Sequence, residues 1–187
     1  MTPNKATLRS EVRRRRSARS EDELAAWGAL LAAHVDAIPG ETLTAFVGTG
    51  GEVPTLPLLA LLVAQGRRVL LPVTRDDLDL DWAEYRGPDD LAPAAFGLLE
   101  PIGPRLGLHA IADADTILAP AIAIDRQGRR LGQGGGCYDR ALPRAHGLVI
   151  AIVADDAVFG AVPTEPHDQL VGAVLTPSSG LMRFPRG

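Results

Sequence analysis

Residues 43–73 constrain the fold of this chain more than any other stretch. A short apolar run at residues 43–47 reads as a strand and leads into the flexible turn Gly48-Thr49-Gly50-Gly51. Thr55 then stands where it can cap a helix that runs to about Gln65 and stops at Gly66. Residues 68–73 are a second short apolar run. Strand, helix and strand within about 30 residues make a βαβ unit, and the crossover forces the two strands to run parallel.

The remaining segments extend that theme. Residues 4–19 read as a helix, with Leu8 and Val12 four apart and Lys5, Arg9, Arg13 and Arg16 on an adjoining basic face. Ser20-Glu21-Asp22-Glu23 reads as a capping box opening a second helix. Its stripe of Leu24, Trp27, Leu31, Val35 and Ile38 is core packing, and Pro39-Gly40 stops it. Residues 78–84 alternate as a half-exposed strand, with the run Asp76, Asp77, Asp79 and Asp81 as a solvated edge. The stretch from Asp89 to Leu108 is broken by proline and glycine and reads as irregular. Residues 116–119 and 121–124 are buried-strand candidates around Pro120, followed by the turn Asp125-Arg126-Gln127-Gly128. A short helix from about Tyr138 and strands at 148–153 and 173–176 complete the pattern. The expected architecture is α/β, a mostly parallel sheet between helices, with ligands bound beyond the carboxyl ends of the strands. No repeat or linker divides residues 1–187, so a single domain is expected.

Composition removes several function classes. With 46% hydrophobic and 22% charged residues the chain is not of a disordered or fibrous type. A formal net charge of −4 argues against bulk attraction to nucleic acid or to an anionic membrane. One cysteine, Cys137, excludes an intramolecular disulfide framework and a cysteine-rich zinc site. Residues 1–20 are polar and arginine-rich, unlike a secretory leader, and no apolar run reaches the roughly 18–20 residues of a membrane span. A soluble cytoplasmic protein is expected. The only lysine is Lys5, among 19 basic residues. Codon bias explains that, or a position where a compact ammonium cannot be replaced by a guanidinium fork.

Chemistry concentrates in Arg129-Arg130-Leu131-Gly132-Gln133-Gly134-Gly135-Gly136-Cys137-Tyr138-Asp139-Arg140. Four glycines in five positions let backbone N–H groups approach a ligand, and a helix starts directly afterwards. With two preceding arginines this reads as an anion site, most naturally for phosphate. The alternative is a plain surface turn. It is neither a Walker A loop nor a dinucleotide fingerprint. Asp139 is either a favourable first-turn acid or a ligand for Mg²⁺, and the latter requires a bound nucleotide. His167-Asp168, between turn residues, reads by itself as a surface turn. Cys137 as a nucleophile lacks an evident partner base.

Taken together, these residues resemble the 5-formyltetrahydrofolate cyclo-ligase family. The likeness runs from Lys5 to about Thr176, and its most specific part is residues 130–140. Supporting pieces are Lys5-x-x-x-Arg9, Glu52-Val53-Pro54-Thr55, Phe96-Gly97-Leu98-Leu99-Glu100-Pro101, Pro120 to Asp125, and Pro163-x-x-Pro166-His167-Asp168. The resemblance implies a three-layer fold, Rossmann-like and similar to the NagB/RpiA/CoA transferase folds. It implies cyclisation of 5-formyltetrahydrofolate to 5,10-methenyltetrahydrofolate that depends on ATP and Mg²⁺ and releases ADP and phosphate. Lys5, Arg9 and Arg130 would be catalytic and, with Gly132, Gln133, Gly134, Gly135, Gly136, Cys137 and Tyr138, would bind the nucleotide. Asp139 and Asp168 would hold Mg²⁺. Thr49, Glu52, Pro54 and Phe96, with Gln133, Gly134, Gly135, Gly136 and Cys137, would meet the folate. A monomer acting on small molecules is expected, with neither nucleic acid nor membrane as partner. Cys137 stands where the family has the first of two tyrosines, and Pro54 where many members have an acid. Those differences leave open a relative that uses ATP on another N-formyl substrate. A non-catalytic protein holding RNA through Arg13–Arg16 is the alternative of a different class, against which a solvated arginine face is the better account.

Overall fold

Asn4 starts the first helix: its side-chain oxygen accepts from the Thr7 N–H at 2.9 Å, and α1 runs over Lys5–Ser17. Leu8 and Val12 are buried against Ile122, Ala123, Leu131 and Val162, which leaves the basic face of α1 for other contacts. Ser20 caps α2 (Glu21–Ala32) through the Glu23 N–H at 3.2 Å. That helix ends earlier than its apolar stripe suggests. Val35 and Ile38 reach the same core from a 3₁₀ turn, Val35–Ala37, and its exit. The computed structural model describes residues 4–166 and 168–185.

The βαβ unit is present as β1 (Thr42–Thr44), α3 (Leu56–Ala64) and β2 (Arg68–Thr74), with Thr42 opposite Arg68 in a parallel pair. The first strand is shorter than residues 43–47, although the Ala45 N–H still reaches the Leu70 carbonyl at 2.9 Å. Thr55 does not cap α3. Its hydroxyl donates to the Phe46 carbonyl at 2.6 Å and accepts from the Gly48 N–H at 3.0 Å, so it fixes the turn leaving β1. β3 (Leu80–Tyr85) returns antiparallel to β2. The stretch expected to be irregular carries a hairpin, β4 (Leu91–Pro93) and β5 (Leu99–Pro101), with Phe96 at its tip. Pairing of Leu91 with Pro101 and Pro93 with Leu99 needs only short edges, which prolines tolerate.

The second half supplies β6 (Thr116–Pro120), β7 (Ala123–Asp125), β8 (Arg130–Leu131), α4 (Cys137–Ala141), β9 (Leu148–Ile152), β10 (Val158–Phe159), β11 (Ala173–Thr176) and β12 (Gly180–Arg183). The main sheet has the order β12-β11-β9-β6-β1-β2-β3. Its five inner strands are parallel and the two edges antiparallel. β12 carries no period-2 alternation that would announce it, and it forms because the turn after Thr176 folds back along β11.

Helices cover both faces. Leu58, Leu59 and Leu62 of α3 and Leu31 of α2 bury against Leu43, Val69 and Leu71, each large side chain contributing roughly 1.5–3 kcal/mol. On the opposite face Tyr138 and Ala141 of α4 pack with Leu70, Trp82 and Ile117. The Trp82 and Tyr138 rings meet edge to face, centroids 6.5 Å apart at 79°. That contact seats α4, and with it the glycine-rich loop that precedes it. The sheet order reverses between β6 and β1, where α/β folds bind ligands beyond the strand ends.

Candidate active site

A cleft of about 1430 Å³ opens at that switch point. Its walls come from α1, the turn after β1, the ends of β2 and β6, the 96–100 hairpin, the glycine-rich loop, residues 163–165 and Asp168. The basic face of α1 looks into it with Lys5, Arg9, Arg13 and Arg16, at spacings of four, four and three residues along the helix.

Lys5 Nζ donates to Asp168 Oδ2 and to Glu165 Oε2, both at 2.7 Å. Burial alone would lower its pKa, but the hydrogen bonds to Asp168 and Glu165 outweigh that and raise it above the ordinary lysine value. The chain leading to Glu165 is held in reach by Asp125, whose fully buried carboxylate accepts from the Val162 N–H at 2.8 Å. The same carboxylate accepts from the Gln127 N–H and from Arg129 Nε, closing the turn expected there. His167 lies outside the described residues.

Arg9 Nε donates to the Gly132 carbonyl at 2.9 Å and Arg13 Nη2 to that of Gln133 at 3.0 Å, so two turns of α1 hold the glycine-rich loop. Gly134 has φ +115°, and a Cβ there would stand 3.8 Å from the Arg9 guanidinium. Gly136 has φ +71° immediately before α4, a conformation that side chains other than glycine adopt only with strain. Because α4 has five residues, its dipole is small. Arg130 is buried. Its Nη2 donates to Asp139 Oδ1 at 2.6 Å and its Nη1 to the Pro120 carbonyl at 3.3 Å.

Glu52 closes the other side. Its Oε1 accepts from Arg16 Nη1 and from Gln133 Nε2, each at 3.1 Å, and its Oε2 from the Thr49 N–H at 3.1 Å. Phe96 is 83% exposed at the hairpin tip with φ +59°, and Glu100 ties that hairpin to the Thr74 N–H at 2.9 Å. Burial pushes the Cys137 thiol and the Tyr138 hydroxyl above their ordinary pKa values, the latter strongly. A protonated thiol is a poor nucleophile.

Lys5, Arg9, Thr49, Glu52, Phe96, Arg130, residues 132–138, Asp139 and Asp168 therefore share one cleft. Pro54 does not reach it and lies against Gly28 of α2, where a glycine Cβ would stand 3.2 Å from the proline Cβ. Asp79 is no solvated edge residue: it pairs with Arg144 at 2.6 Å. Arg13–Arg16 is a solvated face only in part, with Arg13 and Arg14 exposed. Arg13 holds Gln133, Arg15 donates to the Asp156 carbonyl and stacks on Phe159, and Arg16 is buried. The sequence reading missed Glu165 and Arg16 as cleft residues. Arg16 was marked by its helical spacing from Lys5, whereas nothing local distinguishes Glu165. Among the described residues no group of three metal-ligating side chains occurs, and no helix is long and apolar enough to cross a membrane.

The profile of the 5-formyltetrahydrofolate cyclo-ligase family matches residues 1–177, with the glycine-rich loop, Asp139 and Asp168 inside the match. The chain belongs to that family. This cyclo-ligase-family chain is 47% identical over 152 residues to the 5-formyltetrahydrofolate cyclo-ligase of Mycolicibacterium smegmatis, covering 78% of each. It is 28% identical over 176 residues to that of Escherichia coli K12, covering 89% of this chain and 97% of the relative. The solved 5,10-methenyltetrahydrofolate synthetase of Aquifex aeolicus superposes with a TM-score of 0.82 at 28% identity, over 98% of this chain and 94% of that one. The synthetase of Mycoplasma pneumoniae, at 17% identity and a TM-score of 0.74, shares the fold. Membership makes the protein a ligase of folate metabolism.

Proposed function

We propose that this enzyme cyclises 5-formyltetrahydrofolate to 5,10-methenyltetrahydrofolate, consuming ATP with Mg²⁺ and releasing ADP and phosphate. One observation carries the proposal: a single cleft is lined both by the cations Lys5, Arg9 and Arg130 with the glycine-rich loop and by the acid Glu52 and the aromatic Phe96. A nucleotide triphosphate suits the first and a flat, N–H-rich heterocycle the second. The formyl oxygen, an amide-like poor leaving group, takes the γ-phosphoryl group of ATP. N10 then closes on the activated carbon, loses its proton to solvent and expels phosphate.

The chain's residues supply position and charge, which is most of what phosphoryl transfer requires. Lys5 and Arg9 neutralise phosphate oxygens from the α1 side. Arg130, fixed by the Pro120 carbonyl, does so from below, and the N–H groups of residues 132–138 cradle the anion. Thr49 and Glu52 orient the heterocycle, and the exposed Phe96 ring offers a stacking face. Gln133, in the glycine-rich loop and bonded to Glu52, links the two sets.

The donor chemistry fits Mg²⁺ brought in on phosphates. Mg²⁺ commonly takes one or two carboxylates with phosphate and water oxygens, and Asp139 and Asp168 are two carboxylates on the cleft wall. When bound, the ion would neutralise charge developing on the transferring phosphoryl group. We propose further that the enzyme is a cytoplasmic monomer. Its partners are the two small substrates, without nucleic acid or membrane. The test is turnover of purified protein with 5-formyltetrahydrofolate, ATP and Mg²⁺, read by the methenyl chromophore. Product that requires all three components is expected. Thermal stabilisation by Mg-ATP without turnover would instead point to another N-formyl substrate.

A further inference from the structure

Arg16 is, with Arg130, one of two buried arginines in the cleft wall, and neither the nucleotide nor the folate proposal uses it. Its Nη2 donates to the Ala121 carbonyl at 2.7 Å, just past β6, and its Nη1 to Glu52 Oε1 at 3.1 Å, in the turn after β1. Those two segments flank the switch point of the sheet. The turn also presses on the helix at this residue. A Cβ on Gly51, at φ +78°, would stand 2.6 Å from the Arg16 carbonyl oxygen, so only glycine allows the approach.

We infer that Arg16 is a positioning residue that fixes the direction of the Glu52 carboxylate in the cleft, an inference that rests on the folate proposal above. A buried ion pair is a poor source of stability, because desolvation of both charges offsets their attraction and an apolar side chain of similar volume would pack as well. What the pair supplies is geometry. A guanidinium reaches two acceptors in fixed directions, which an ammonium on a flexible stem cannot do. With Arg16 and Gln133 on Oε1 and the Thr49 N–H on Oε2, Glu52 retains lone-pair capacity on Oε2 for one further donor. That donor is an N–H of the bound substrate. Arg16 therefore acts on the substrate through Glu52.

The experiment measures binding of 5-formyltetrahydrofolate by titration calorimetry without nucleotide, and of Mg-ATP separately, for wild type, R16K, E52Q and the double variant. R16K is expected to weaken the folate at least tenfold and to change Mg-ATP less than twofold. E52Q should lose a similar factor, and the double variant should bind no more than twofold worse than the weaker single one. Wild-type folate affinity in R16K, or losses that multiply in the double variant, would overturn the inference. Equal loss of folate and nucleotide in R16K would also overturn it, since that marks a merely structural role. Should R16K fail to fold, E52D decides. It keeps the charge but withdraws it from Arg16, so a tenfold loss is expected and wild-type affinity would overturn the inference. A wild-type protein that binds no 5-formyltetrahydrofolate overturns the folate proposal and this inference together, whereas binding retained in both wild type and R16K overturns the inference alone.

Discussion

Replacing Asp168 with Asn should change the sign of its effect on triphosphate binding according to whether Mg²⁺ is present. Lys5 Nζ is shared by Asp168 Oδ2 and Glu165 Oε2 at 2.7 Å each, so an incoming phosphate must join acceptors already on that ammonium. Two acceptors on one ammonium stand about 4.5 Å apart, given hydrogen bonds of ordinary length. At that separation two unit negative charges repel by about 1 kcal/mol in a water-like medium and about 4 kcal/mol at an effective dielectric near 20. The Lys5 and Asp168 side chains are 18% and 10% exposed in an open cleft, which favours the lower part of that range. A relief of about 1–2 kcal/mol corresponds to roughly fivefold to thirtyfold in affinity. In EDTA, D168N should therefore bind inorganic tripolyphosphate at least fivefold more tightly than wild type in a calorimetric titration. With Mg²⁺ the variant lacks a carboxylate proposed to hold the metal and should bind Mg-ATP at least fivefold more weakly. Weaker binding in both conditions, or no change in either, would refute the idea that Asp168 alternates between the ammonium and the metal.

Lys5→Ala should lower kcat/KM for ATP at least tenfold, about 1.4 kcal/mol, in a steady-state assay at fixed folate, and an unchanged value would remove Lys5 from the site. The Arg144 hydrogen bond lowers the Asp79 pKa despite opposing burial, so the pair's stabilisation is fully present above the unfolded carboxylate value near 3.9 and is lost as pH falls through the depressed folded value. Urea unfolding between pH 2 and 7 should therefore show a shallower acid limb for D79N than for wild type. Trp82→Ala empties a fully buried position beneath α4 and should cost about 3–5 kcal/mol of unfolding free energy by urea titration. Because Trp82 seats Tyr138, that variant should lose Mg-ATP affinity more than folate affinity.

Local signals carried the parts of the fold that repeat a period or end on a cap. The βαβ unit, the first helix, the Ser20 helix start and the buried strand β9 all follow from residues within a few positions of one another. Elements decided by distant partners were not legible. β12 exists through its register with β11, and the 91–101 hairpin through Glu100 reaching Thr74. Thr55 had the residue type of a cap, but the carbonyl of Phe46 won its hydroxyl. The site shows the same division. Residues 130–140 stand out locally as a glycine-rich loop, while the partnership of Lys5 with Glu165 spans 160 positions and has no local trace. Resemblance to the cyclo-ligases joined those distant segments, and it also drew in Pro54, which the fold turns toward Gly28. Four adjacent arginines cannot reveal from sequence that their helix buries Leu8 and Val12 against Ile122 and Leu131 while Arg13 and Arg16 line the cleft.

The central claim is that the formyl oxygen takes the γ-phosphoryl group within this cleft. The direct measurement is the fate of that oxygen: 5-formyltetrahydrofolate labelled with heavy oxygen in the formyl group, turned over with ATP and Mg²⁺, and the released phosphate analysed by mass. One labelled oxygen per phosphate, formed in step with the methenyl product, is the predicted result. Methenyl product accompanied by unlabelled phosphate, with the heavy oxygen in water, would contradict the account.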